Sequence, residues 1–360
     1  MRAFQYLFGY LVPLLAAAGI YFGGTLWSYS ALILTFGIVP LLEVVLPAPG
    51  ANAAVSQTPA AARLFDWILY LSLPVQYGVI ALLLIAVSQA WYTNYVELTG
   101  WILSVGVSCG MLGINSAHEL GHRNKAYEKW ISKALLLTSL YMHFFIEHNR
   151  GHHRHVATPM DPATARRGEF LYTFWMRSVY MSFVSAWRIE AKRLRNSGLA
   201  PYGPRNTMWR YTILQTAVLA GIFFAFGGLA LLAFTIAAVF GFLLLETINY
   251  VEHYGLSRRF DEAKQRYEKV QPHHSWNSNH LIGRLLLFEL PRHSDHHAFA
   301  ERRYEALRHF NESPQMPAGY PAMVLMALFP PLWFAVMHRK LDRLQAAGAP
   351  GIAGTNSAAA

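Results

Sequence analysis

Apolar residues run along this chain in long uninterrupted blocks and do not alternate with polar ones. Six blocks approach or reach the length of a membrane crossing: Phe4 to Phe22, Tyr29 to Leu46, Trp67 to Ala90, Leu98 to Ala117, Tyr211 to Phe226 and Leu229 to Tyr250. A helix needs about 20 such residues to cross the hydrocarbon, with roughly 17 to 25 as the working range. Trp209 extends the short fifth block, and Tyr21, Trp27, Tyr29, Trp67, Trp91, Tyr92 and Trp101 stand near other block ends as interfacial anchors do. The pattern predicts an all-α integral membrane protein with six transmembrane helices.

Two further apolar runs are read differently. Ala134 to Ile146 has only 13 residues, a length that favours a re-entrant or interfacial piece. If it crossed, His118 and His122 would lie on the opposite membrane face from His148. Pro321 to Met337 is interrupted by Pro330–Pro331, which a helix interior does not tolerate, so it is expected to lie on or dock against the surface. From residue 346 the chain reads AAGAPGIAGTNSAAA, a composition that predicts disorder. The expected organisation is one membrane-embedded domain over 1–345 and a tail over 346–360. No small-residue cleavage site follows the first block, so no cleavable signal peptide is expected.

Charge fixes the expected orientation. The turns at Gly23–Gly24, Trp91–Glu97 and Gly227–Gly228 carry no Lys or Arg. Arg123, Lys125, Lys129 and Lys133 follow the fourth block, eleven basic residues lie between Arg150 and Arg210, and Arg258, Arg259, Lys264, Arg266 and Lys269 follow the sixth. Basic connections gather on the cytoplasmic side. Three helical hairpins with both termini in the cytoplasm, in a bacterial-type inner membrane, satisfy this pattern.

Composition agrees. Hydrophobic residues make up 54% and charged residues 14%, the latter about half the share in a soluble domain. The net charge of +10 is accounted for by this topology, and no nucleic acid partner is expected. The one cysteine, Cys109, rules out an internal disulfide, a Cys-ligated zinc site and a cysteinyl iron–sulfur cluster. Set in an apolar run, it reads as a small hydrophobe, not a haem ligand.

Against that single cysteine stand sixteen histidines. HELGHR supplies His118 and His122; EHNRGHHRHVATPMDPATAR supplies His148, His152 and His153; NYVEHYGL supplies His253; and LPRHSDHHA supplies His293, His296 and His297. Residues four apart share a helix face, so two imidazoles can reach one metal from adjacent turns. Nine are too many for one ion, and two are the economical inference. Imidazole ligation suits iron, zinc, copper or nickel over magnesium or calcium. Glu119, Glu147, Glu246, Glu252 and Asp295 lie close by in sequence, and such carboxylates commonly accept the second N–H of a bound imidazole. His143, His309 and His338 stand alone and read as structural, while His273, His274 and His280 in QPHHSWNSNH read as structural or supporting.

HELGH also matches the H-E-x-x-H zinc protease motif, but a zincin needs only one further ligand and leaves the other histidine motifs unexplained. A metal-ion transporter would place its ligands near the bilayer midplane, whereas these cluster at block ends.

Taken together, HELGH, EHNRGHHRHVATPMDPAT, NYVEHYGL, QPHHSWNSNH and RHSDHHA resemble the alkane 1-monooxygenases, membrane-bound alkane omega-hydroxylases related to the membrane desaturases and xylene monooxygenases. The resemblance covers nearly the whole chain to about Met337. It implies six transmembrane helices, a cytoplasmic cap and two non-haem iron ions on the nine histidines named above. It also implies terminal hydroxylation of medium-chain n-alkanes by O2. Electrons would come from rubredoxin, with its reductase and NADH upstream. Pro291 departs from the Gln common in the family at that place. The chain carries no fused rubredoxin, though its tail could begin a linker to one. It also has no dinucleotide or flavin fingerprint, so neither NAD nor flavin is expected to bind. An alkane offers no polar handle, so an apolar slot between helices must position it. Thr35, Phe36, Ile38 and Val39 are the expected wall residues. Acyl desaturation or xylene-type methyl hydroxylation are the alternatives within the same metal class.

Overall fold

The computed structural model describes residues 2–46, 48, 52 and 58–351. It is mostly helical. Four helices are long and apolar enough to cross a membrane: α1 (Arg2–Phe22), α3 (Ala62–Ser88), α4 (Tyr95–Gly121) and α7 (Thr207–His253), with the shorter apolar α2 (Ser30–Val45) between the first two. The protein is thus a multi-pass membrane protein. The last two predicted blocks both fall within α7. A straight helix of 47 residues would be about 70 Å long, more than twice the hydrocarbon thickness of about 30 Å. It is not straight: Gly227 has φ 85° and ψ 173°, a conformation open to glycine and strained for other residues. The two halves fold back beside one another, since Met142 N–H donates to Gln215 in the first half while Tyr141 stacks on Phe242 in the second.

Two of the turns without Lys or Arg are tied together. Glu97 accepts from the backbone N–H of Gly24 and of Thr93, both at 2.7 Å, and Asn94 caps α4 by accepting from Glu97 N–H. Lower in the bundle, Trp101 donates to the Gly19 carbonyl and Ser104 to that of Ser28. Helix α4 and the second half of α7 approach closely. A Cβ at Gly241 would lie 2.6 Å from Cys109 Cβ, and one at Gly110 would lie 3.0 Å from the Gly241 carbonyl. Small residues at such contacts let membrane helices pack backbone to backbone, and here they hold His118 and His253 at neighbouring helix ends.

The 134–146 run forms no helix of spanning length. Helix α5 (Ala126–Leu137) ends in turns, and a short helix, Phe144–Glu147, leads into the second histidine motif. Beyond it, α6 (Leu171–Asn196) carries the basic residues Arg188, Lys192 and Arg195 on exposed positions. Pro330–Pro331 opens a helix instead of breaking one: α8 (Tyr320–Ala327) ends before it, and α9 (Pro330–Ala346) begins there, with Trp333, Met337 and Leu341 buried. Proline is well suited to a first helical turn, where its missing N–H is not needed. The only strands among the described residues form a two-residue antiparallel pair, Phe260–Asp261 with Arg266–Tyr267. Residues 352–360, most of the expected tail, lie outside the described residues.

Glu190 joins α6 to the start of α7. It accepts from Thr207 N–H and Oγ1, from Arg193 and, more distantly, from Arg150. The Arg193 guanidinium is the main reason its carboxyl titrates at about 2; burial opposes the shift and the Thr207 hydrogen bonds add to it. A depressed carboxylate pKa stabilises the fold above the ordinary glutamate range, near 4.3, and that contribution is lost as pH falls toward 2. Glu190→Ala is expected to lower the thermal midpoint at pH 7, since orphaned donors cost about 1–3 kcal/mol. The gap to wild type should narrow below pH 4. Equal midpoints at pH 7 would refute this role.

Candidate metal centre

Four separate stretches bring histidines to one end of the bundle. His118 and His122 close α4, His253 ends α7, His148, His152 and His153 lie in the turns after Phe144–Glu147, and His293, His296 and His297 occupy a short helix, His293–Ala298. Helix α1 docks on the same end, where Tyr6 donates to Glu289, itself held by Arg284.

The nine imidazoles sort into two groups. His118, His122, His148, His153 and His296 form one, and His152, His253, His293 and His297 form the other; within each, the ligand atoms lie within 4.8 Å of one another. All converge through Nε2. In the first group His118–His296 is 2.9 Å, His148–His153 3.0 Å, His153–His296 3.1 Å and His122–His148 3.2 Å. In the second, His293–His297 is 2.8 Å, His152–His297 3.2 Å and His253–His293 3.3 Å. Nitrogens at right angles on an ion about 2.1 Å away stand about 3.0 Å apart. Protons alone cannot satisfy such a cluster, because one N–H points at one neighbour while several Nε2 atoms meet two. Two cations can. The donor set therefore fits a pair of transition-metal ions.

Local backbone decides which imidazole joins which group. Through His148–His152 the chain makes a π-type turn, in which hydrogen bonds reach five residues back instead of four. His148 consequently shares a group with His153, five residues on, and His152 turns to the other. Burial, followed by the neighbouring imidazoles, holds His148, His153, His296 and His297 well below the usual histidine range. They are neutral at pH 7, the state that binds metal. His152 is the exception. Burial opposes its charge most strongly, but the Asp161 carboxylate, joined by those of Glu147 and Glu246, raises its pKa on balance.

That partner was not expected from the sequence. Asp161 Oδ2 lies 2.9 Å from His152 Nδ1 and also accepts from Thr164 Oγ1 at 2.6 Å. Of the five expected carboxylates, only Glu252 touches a ligand ring, with Oε2 3.1 Å from His293 Nε2. Glu119 is engaged by Arg123 and the Tyr304 N–H, Glu147 by Ser185, Glu246 by Tyr141 and Ser178, and Asp295 by Arg302 and the Arg308 N–H. Adjacent residues on a helix point about 100° apart, so a carboxylate next to a ligand in sequence faces away from it. The arginine-paired Glu119 is also not placed as the general base of a zinc protease.

The remaining histidines have other partners. His338 meets the Tyr254 hydroxyl, and His309 meets Asn277. His143 is buried. Glu268, His273 and His274 form a third cluster of metal-ligating types. There, however, Gln271 N–H donates to His274 Nδ1, which leaves the proton on Nε2 for Glu268 at 3.3 Å. A hydrogen-bonded pair explains that geometry.

An apolar cavity reaches both groups. Its walls include His118 and His148 of the first, His293 and Glu252 of the second, and Asn115, Asn249, Phe144, Leu287, Leu290, Tyr320 and Val324. Thr35, Phe36, Gly110, Met111 and Leu244 also line it. Met111 lies seven residues before His118, or about 10 Å along α4, and Thr35 Oγ1 sits 3.6 Å from its sulfur. Ile38 and Val39 do not line the cavity. Two and three residues further round the helix, Ile38 faces outward, 45% exposed, and Val39 packs into the core.

Fold and site together define a membrane-embedded, histidine-rich metalloprotein whose substrate chamber opens among apolar helices. The fatty acid desaturase family matches residues 96–327. Alkane 1-monooxygenase 1 of Pseudomonas aeruginosa is 44% identical over 320 residues, covering 88% of this chain and 83% of that protein. Alkane 1-monooxygenase of Ectopseudomonas oleovorans is 38% identical over 330 residues, 90% and 79% respectively. The xylene/toluene monooxygenase hydroxylase component of Pseudomonas putida is 32% identical over 337 residues, 92% and 87% respectively. The chain belongs to the fatty acid desaturase family and, within it, to the alkane 1-monooxygenases.

Proposed function

We propose that this protein converts medium-chain n-alkanes to primary alcohols with O2, using two iron ions held by the nine histidines and electrons from reduced rubredoxin. The observation that carries the reading is the cavity, which touches both imidazole groups and is otherwise walled largely by aliphatic and aromatic side chains. Burying CH2 groups is worth roughly 0.8 kcal/mol each relative to water. Lipid solvates an alkane as well as the cavity does, so the cavity's contribution is position.

Iron, when bound, would supply the reductive activation of O2 and the attack on the C–H bond, chemistry that side chains cannot perform. His118, His122, His148, His153 and His296 would hold one ion, and His152, His253, His293 and His297 the other. Asp161 fixes the His152 ring by accepting its Nδ1–H. The aliphatic walls from Met111 to Val324 exclude water and direct one chain end toward the imidazoles.

The fold-back at Gly227 and the turns without Lys or Arg support six spans in three hairpins. The docking of α1 beside the histidine end supports an N-terminus on the same side as the metal cap, and the basic connections support a cytoplasmic location for both at the inner membrane. The exposed Arg188, Lys192 and Arg195 suit a small acidic carrier through electrostatic steering. Reversing all three to Glu is expected to slow rubredoxin-dependent reduction about tenfold at low salt, with the deficit fading at high salt. An unchanged reduction rate would remove this surface from the account.

The activity itself is tested by supplying octane, rubredoxin, its reductase and NADH under 18O2. The expected product is singly labelled 1-octanol. Unlabelled alcohol, or modification of acyl chains in place of octane, would overturn the assignment.

A further inference from the structure

The two imidazole groups are unequal, five against four, and the smaller one has a carboxylate at its edge. Glu252 immediately precedes His253 at the end of α7, is 1% exposed, and lines the substrate cavity. A supporting carboxylate would accept the outward N–H of a bound imidazole, at Nδ1. Glu252 is on the other side of the ring: its Oε2 lies 3.1 Å from His293 Nε2, the nitrogen that also meets His297 Nε2 at 2.8 Å and His253 Nε2 at 3.3 Å. The Nδ1 atoms of His293 and His297 have no hydrogen-bond partner among the described residues. An oxygen at that distance from a converging nitrogen has the spacing of two ligands on one ion. The second oxygen, Oε1, accepts from the Tyr320 hydroxyl at 2.6 Å, which fixes the carboxylate plane and leaves Oε2 directed at the group.

We infer that Glu252 is a tenth ligand, a carboxylate on the four-histidine ion, held in place by Tyr320 and set on the face of that ion that meets the substrate. The inference rests on the two-iron reading given above. It makes the two sites chemically distinct: one all-nitrogen, the other carrying a hard anionic oxygen, which lowers net charge and favours the more oxidised ion at that position. Tyr320 acts as a positioning residue, since it meets the carboxylate and not the histidines.

The test is 57Fe Mössbauer spectroscopy of the purified, iron-loaded protein, with iron counted before and after a chelator challenge. In Glu252→Gln, whose amide keeps the link to Tyr320 but is a poor ligand, one iron signal should shift or disappear and the other stay as in wild type. Chelation should then remove about one iron per chain faster. Tyr320→Phe, which keeps Glu252, should shift the same signal by less, and it decides the matter if Glu252→Gln does not accumulate. Glu252→Asp should restore part of the wild-type spectrum. Wild-type spectra and iron retention in both Glu252→Gln and Tyr320→Phe would overturn the inference while leaving two irons in place. A wild-type protein without iron would bring down both readings.

Discussion

His153→Ala should lose alkane hydroxylation far beyond the roughly 10–100-fold that removal of a supporting partner costs at a metal site, and its iron content should fall from about two per chain toward one. His153 Nε2 meets both His148 and His296, so its loss opens one group at its centre. His253→Ala should give the same outcome from the other group, where His253 meets His293. Asp161→Ala calibrates the scale. It leaves all nine imidazoles but frees the His152 ring, and should cost only the smaller 10–100-fold. Iron analysis alongside octane turnover checks the series. If His153→Ala retained two irons and wild-type turnover, the grouping of ligands would be wrong.

Thr35→Trp should change which alkane is used, not how fast the centre works. Thr35 closes the cavity against Met111, about 10 Å along the helix from the first ligand. An indole there fills the space of the last carbons. A longer chain can then present its end to the imidazoles only by forcing the packing, at a cost of about 1–3 kcal/mol, or roughly fivefold to a hundredfold in the competition between long and short chains. The product ratio from an equimolar mixture of hexane, octane and decane reads this directly. The same tryptophan at Ile38, which faces outward, should leave the ratio unchanged. A ratio unaffected by Thr35→Trp would place the substrate elsewhere.

Much of the architecture is legible in the chain because lipid imposes a simple rule on it. The six apolar blocks all reappear as helix, and the break between the last two falls at Gly227, the glycine of the predicted turn. The 134–146 run, too short to cross, forms no helix of spanning length. The histidine motifs likewise announce a metal cluster, since no ordinary packing role calls for nine of them. What the sequence conceals is local backbone. Spacing alone pairs His148 with His152, four apart, but the π-type turn pairs His148 with His153, and no residue in HNRGHH advertises that turn. The same limit applies to the carboxylates. Glu119, Glu147 and Asp295 stand beside ligands in sequence and face other partners in space. Asp161, nine residues beyond His152, comes back to it through a loop closed by Thr164 and Ala163. The MDPAT stretch held the signal, a lone acid flanked by Pro and Thr in a histidine-rich segment. Thr35 and Phe36 reach the cavity where Ile38 and Val39 do not, because α2 carries its own π-type turn over Ile33–Ile38.

The most direct test is metal analysis of the purified protein together with oxygen uptake after chemical reduction in the presence of octane. The account predicts about two irons per chain, prompt consumption of O2 and formation of 1-octanol. Protein that holds zinc alone, and leaves O2 untouched when reduced, would contradict it.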